Sequence, residues 1–171
     1  MANEFIDVPS WTSEIDNTFF LQLGIYLTFT PPGSSEDMLV GFKPTSFGYD
    51  GCSADEIEVN HFYSTQNFKQ FVTTMIDGGT VTVQGLFDPR FPVPKFAGTR
   101  QSRTQGTSGE LVCAMTDESF EKGKMAVIFK GDANVTNWGG LENTEAGGLI
   151  HRSFTFHFTG EPHFNAIEFT E

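Results

Sequence analysis

Positive charge is scarce in this sequence. Ten Lys and Arg stand against 22 Asp and Glu in 171 residues, so the formal charge is −12 with the four histidines neutral. A chain this acidic lacks the basic face that phosphate neutralisation and counterion release require, which excludes sequence-reading DNA- and RNA-binding proteins. There are only two cysteines, Cys52 and Cys113, in no CxxC or metal-like spacing. That excludes a disulfide framework and points to two free, inert thiols. No segment approaches the ~18 consecutive apolar residues of a membrane-spanning helix. Met1 to Pro9 carries Glu4 and Asp7 where a secretory leader would carry Lys and Arg, and it has no apolar stretch, so cytoplasmic synthesis without export is expected.

What is abundant is phenylalanine, with 19 residues, and glycine, with 18. Each fully buried ring is worth roughly 1.5–3 kcal/mol, so this many rings need a core, a subunit interface or both. The glycines and eight prolines supply turns, and with few Ala, Lys and Leu they favour strands over helices. The length suits a single domain over residues 1–171.

The clearest strand spans Phe19 to Phe29, where Phe19, Leu21, Leu23, Ile25, Leu27 and Phe29 alternate with Gln22, Gly24, Tyr26 and Thr28. It is long for a small domain, which suggests a large or shared sheet. Residues 30–53 form a long excursion rich in turn residues, with room for a little strand. Further strands are expected at about 55–62, 80–87, 111–116, 124–130, 150–159 and 164–169, with polar, Gly-rich connections including 132–148. Helical spacing occurs once: Phe68, Phe71, Val72, Met75 and Ile76 fall at i, i+3, i+4, i+7 and i+8, between capping Ser64 or Thr65 and the stop at Gly78-Gly79. The spacing predicts a short amphipathic helix whose apolar face packs on a sheet. The fold class is therefore all-β with one flanking α-helix, a sandwich or a barrel.

Catalytic signatures are missing. Neither a GxxxxGK[ST] phosphate loop nor a GxGxxG between strand and helix is present, and there is no nucleophile elbow. His151, His157 and His163 cluster late, but His151 and His157 are separated by roughly 20 Å of strand and cannot share one ion. Glu56 and Glu58 lie two apart on one strand face, at the reach of a glycosidase pair or simply on a solvated acidic face. No cofactor site is expected. The charge distribution is more informative. Between Asp88 and Gly109 stand Arg90, Lys95, Arg100 and Arg103 against Asp88 alone, a net of +3, which leaves −15 on the remainder. A basic loop of 22 residues on an acidic body fits head-to-tail docking between copies.

The run Asp55-Glu56-Ile57-Glu58-Val59-Asn60-His61-Phe62-Tyr63-Ser64, followed by Phe68-Lys69-Gln70-Phe71 and Asp77-Gly78-Gly79-Thr80-Val81-Thr82-Val83, resembles the major tail tube proteins of long, non-contractile-tailed bacteriophages (siphophages). Their pattern is an EVT-type strand, a short polar link, an FKxF helix and a DGG turn into a strand. The end of the chain, Ile150 to Phe164 with Thr159-Gly160-Glu161-Pro162-His163-Phe164, is similar to their closing strand. His61 and Phe62 depart from the small polar residues usual there, and no immunoglobulin-like domain follows the closing strand.

The resemblance implies a tail tube fold, hexameric rings stacked around a lumen, a location in the virion tail, and no enzymatic activity. It implies further copies of this chain as the main partner, with tape measure, tail terminator and tail tip proteins beside it and double-stranded DNA as a transient passenger. On this reading Arg90, Lys95, Arg100 and Arg103 make inter-ring contacts, while Glu56 and Glu58 belong to an acidic lumen or interface face. Two other readings are the related tube component of type VI secretion and a monomeric β-sandwich carbohydrate-binding module or glycosidase using Glu56 and Glu58.

Overall fold

The computed structural model describes residues 3–7, 25–33, 39, 44–59, 69–86, 107–116, 123–142 and 146–168. They form ten strands: β1 (Phe5–Asp7), β2 (Ile25–Thr30), β3 (Pro44–Tyr49), β4 (Ser53–Glu58), β5 (Phe71–Asp77), β6 (Thr80–Leu86), β7 (Thr107–Met115), β8 (Lys124–Glu142), β9 (His151–Phe158) and β10 (His163–Phe164). Eight belong to one antiparallel sheet in the order β2-β7-β8-β9-β6-β3, with β1 and β10 also on β8, and β4 and β5 make a separate two-stranded sheet.

The organising element is β8, 19 residues long. One of its edges pairs with β7 from Ala126 to Val135. Its other edge receives β1 at Lys124–Ala126, β10 at Phe129–Lys130 and β9 from Ala133 to Glu142. Because one strand serves two sets of neighbours in succession, the sheet turns back over itself. Tyr49 on β3 stacks on Phe129 of β8 at 5.3 Å although two strands separate them in the sheet, and Phe29 of β2 meets Phe156 of β9 at 5.2 Å.

Alternation fills the space between the layers. Leu27 and Phe29, Val81 and Val83, Leu111 and Cys113, and Phe154, Phe156 and Phe158 point inward from four strands into one continuous core. A smaller cluster of Tyr26, Ala114 and Met125 lies under Ile6 of β1. Segments near both ends of the chain are tied down on β8. Lys124 and Lys130 form ion pairs with Asp7 and Glu4, Val127 N–H donates to the Glu4 carbonyl, and Asn165 Nδ2 donates to the Val127 carbonyl.

On the side of β3, β6 and β9 away from the core, the register sets Gly48 beside Thr82 and Thr82 beside Thr155, while Asn137 of β8 follows Thr155. A second row runs from Ser46 through Gln84 and Ser153 to Gly140. Neither row contains a charged residue.

Several expectations need correction. No helix occurs among the described residues, and Phe71, Val72, Met75 and Ile76, assigned to a buried helical face, lie on β5 with their side chains exposed. Phe68 lies outside the described residues. The helical spacing arises from a bulge: between the pairs Glu56↔Thr73 and Ala54↔Ile76, β5 advances three residues while β4 advances two. The extra residue shifts the period-two phase and imitates a period nearer 3.6. Four of the six residues in Phe71–Ile76 are β-branched, which favours a strand.

The connection expected at 132–148 is strand as far as Glu142, with bulges between Val135 and Asn137 and between Trp138 and Gly140 that broke the alternation. β7 starts at Thr107, inside the segment assigned to the basic loop, while β3 is the little strand for which the excursion at 30–53 left room. Of the strand expected at 164–169, only Phe164 is strand among the described residues, in β10. Residues 19–24 of the long first strand lie outside the described residues.

Candidate functional site

β3 pairs with β6 and β4 pairs with β5, so β3–β4 and β5–β6 are the two sides of one antiparallel ribbon. Its first half is integrated into the large sheet. Its second half leaves that sheet at a corner formed by Asp50–Cys52 and Gly78–Gly79 and continues as a two-stranded arm, extended one step further by Val59 N–H donating to the Gln70 carbonyl.

The corner is tightly specified. Asp77 Oδ1 accepts the Gly79 N–H at 2.8 Å, Tyr49 Oη donates to the Gly78 carbonyl at 2.8 Å, and the Gly79 carbonyl accepts the Phe158 N–H at 3.0 Å. Gly79 has φ 87°, and a Cβ there would lie 2.3 Å from the Gly51 carbonyl oxygen. A Cβ on Gly78 would lie 2.3 Å from the Gly160 carbonyl oxygen, so both glycines are required by close backbone approach. Asp77 reaches across to His157 of β9, Nε2 to Oδ1 2.9 Å. The Gly79 N–H and then the His157 hydrogen bond hold the Asp77 carboxyl below its usual range. Burial, followed by the Cys52 contact, raises the Tyr49 hydroxyl and keeps it a donor.

Beyond the corner the arm exposes apolar surface on both faces. Met75 is 91% exposed, Ile76 70%, Ile57 57% and Phe71 and Val72 54% each. The pairing places Ile57 with Val72 on one face and Phe71 with Glu58 on the other. A two-stranded ribbon is marginally stable in water, and apolar clusters of this kind on a surface mark contact sites. An open cleft of about 470 Å³ lies at the arm's root, lined by Met75, Ile76, Asp77, His157 and Gly160 among others.

Glu56 and Glu58 share one face of β4, and Glu58 pairs with Lys69 across the arm at 2.9 Å. The ion pair lies beside exposed apolar side chains, Ile57 and Phe71 among them. Arg90, Lys95, Arg100 and Arg103 lie outside the described residues. His151 and His157 are on β9 and His163 is on β10. Among the described residues no group of three or more His, Cys, Asp or Glu side chains is placed to hold a metal ion. Cys113 is buried, which pushes its thiol up to about 12, whereas Cys52 is exposed at the corner. One strand of the arm, β4, falls within the strand expected at 55–62, whereas β5 was missed by sequence reasoning. Its signal was the run of β-branched residues after Gln70 ending at Asp77-Gly78-Gly79.

No protein-family model matches the sequence, and no curated protein matches it. Its fold does match solved structures. A chain from the tail of an empty GTA particle, computed with helical refinement and C6 symmetry, superposes with a TM-score of 0.55 at 14% identity over 84% of this chain and 97% of that one. The SPP1 tail tube gives 0.50 at 14% identity over 85% and 78%. The sheath–tube complex of an extracellular contractile injection system in its extended state gives 0.53 at 9% identity over 84% and 88%. The chain has the fold found in tail and tube assemblies of phages and contractile injection systems.

Proposed function

We propose that this chain is the structural subunit of a bacteriophage tail tube, polymerising as stacked hexameric rings and having no catalytic role. The observation that carries the proposal is the arm: a two-stranded extension, apolar on both faces, on a fold shared with tail and tube assemblies. Burying its side chains against a second copy stabilises both the arm and the assembly, at roughly 1.5–3 kcal/mol per large apolar side chain fully covered. The arm is acidic, with Asp55, Glu56, Glu58 and Asp77 against Lys69. The segment carrying Arg90, Lys95, Arg100 and Arg103 supplies the complementary charge for contacts between rings. The subunit acts as one domain in the virion tail, beside tape measure, tail terminator and tail tip proteins, with genome DNA as a transient passenger during ejection.

Electron microscopy of concentrated protein tests this reading. Rings or tubes with a central channel are expected, and Met75→Asp with Ile76→Asp is expected to abolish them while leaving the circular dichroism spectrum unchanged. A monodisperse monomer at high concentration, seen by light scattering, would overturn it. A tube of a contractile system is the second reading, favoured by the likeness to the sheath–tube complex. Such a tube would carry a sheath on its outer wall.

A further inference from the structure

We infer that the uncharged face of β3, β6, β9 and the second half of β8 lines the channel of the assembled tube. This inference rests on the tube reading and adds which surface the passing DNA meets.

The described surfaces differ sharply in chemistry. The arm is apolar and acidic, suited to a protein contact. The region where β1 meets β8 carries the ion pairs Lys124–Asp7 and Lys130–Glu4. The third surface is built around Thr82, Gln84, Ser153, Thr155 and Asn137, which adjoin one another through the register of three strands. In a chain of charge −12, a patch across four strands without Lys, Arg, Asp or Glu is a departure from the background. Among the described residues, charge returns only at its ends. His157 is held by Asp77 at one end, and Glu142 accepts from Gln84 Nε2 at 3.2 Å at the other.

Each property meets a requirement of a channel wall. With no lysine or arginine, the face cannot neutralise phosphates and release counterions, so duplex DNA gains nothing by stopping there. The two rows at its centre, Gly48-Thr82-Thr155-Asn137 and Ser46-Gln84-Ser153-Gly140, carry no large apolar side chain and offer little hydrophobic gain to a partner subunit, while Leu86 stands at the Glu142 end. With no carboxylate in its middle, it avoids the repulsive field that a narrow, low-dielectric passage would focus on a polyanion. Ser, Thr and Gly also project little beyond the backbone, which leaves the bore wide. Glu56 and Glu58, by contrast, sit on the arm, in the region assigned to subunit contact.

The test places a heavy-atom label. Thr155→Cys and, separately, Thr82→Cys are made in a Cys52→Ser background, and assembled tubes are soaked with a small mercurial and imaged by cryo-electron microscopy. Density present in the variant tubes and absent from the Cys52→Ser parent tubes is expected on the channel side of the wall for both variants. Label on the outer side overturns the inference. So does a loss of assembly, or of labelling, in both variants while the parent forms tubes, because the face would then be a subunit contact. Failure of the unsubstituted chain to form tubes would instead bring down the tube reading, and the channel assignment with it.

Discussion

Val83 and Ile76 lie on the same side of one ribbon, seven residues apart in sequence, yet Val83 is fully buried and Ile76 is 70% exposed. Both halves of that ribbon are antiparallel and both are rich in β-branched residues. What separates them is company. β3 and β6 have β9 beside them and β8 folded above them, whereas among the described strands β4 and β5 pair only with each other. Strand-forming residues set the local backbone in both regions, but burial depends on a second layer. In the arm, no such layer occurs among the described residues. The contrast turns exposed apolar side chains from a curiosity into an argument for a partner.

The largest expected effect lies in the enclosed half. Phe156 is fully buried against Phe29 and is registered between Val81 and Val135. Phe156→Ala is expected to cost about 3–5 kcal/mol, the usual range for a buried ring truncated to a methyl. Urea unfolding of the monomer measures it. A loss below about 1 kcal/mol would mean that the two layers do not pack as described and would break the comparison at its root.

The corner joining the halves comes next. Ala at Gly51 (φ 80°) meets no atom within 4 Å, so Gly51→Ala reports the left-handed backbone alone, about 1–2 kcal/mol. Ala at Gly79 (φ 87°) faces the same backbone cost and also drives a Cβ onto the Gly51 carbonyl oxygen. Gly79→Ala is therefore expected to be the more destabilising of the two in thermal melts. Equal losses would show that the corner is loose.

Much of the large sheet was legible because its burial alternates. Phe154, Phe156 and Phe158, Val81 and Val83, and Leu27 and Phe29 read as strands since one face meets the core and the other does not. Legibility failed wherever a bulge altered the phase. The second half of β8 reads as a polar connection because Thr136 and Gly139 each add a residue, and the extra residue in β5 makes Phe71, Val72, Met75 and Ile76 resemble a helix. β3 was faint for another reason: Thr45, Phe47 and Tyr49 alternate with Ser46 and Gly48, but the run is short and begins at a proline. Of the arm and its corner, the Asp77-Gly78-Gly79 motif was visible as a turn. Its use as a corner between a buried and an exposed half depends on contacts with Gly51 and Gly160, which are distant in sequence and carry no local signature.

The smallest expected effect concerns how the exposed half is held to the enclosed one. Asp77 belongs to the arm, while its partners Gly79 N–H and His157 belong to the corner and to β9. Both partners favour the ionised carboxylate, so its folded-state pKa lies below the unfolded value near 3.9. The sign follows by linkage. The carboxylate's contribution is fully present above the unfolded value and is lost as pH falls through the lower folded value. Asp77 is solvent-exposed, so screening keeps the contribution small, and the amide of Gly79 is a better reporter than global stability. Its NMR resonance is expected to titrate with a midpoint below that of an Asp in an unfolded peptide, and the shift should vanish in Asp77→Asn. A midpoint at or above the ordinary value would mean that Asp77 does not grip the corner in solution. Among the described contacts, the arm would then be joined to the body by the ribbon backbone, the Tyr49 and Cys52 contacts to Gly78 and the Phe158 contact to Gly79.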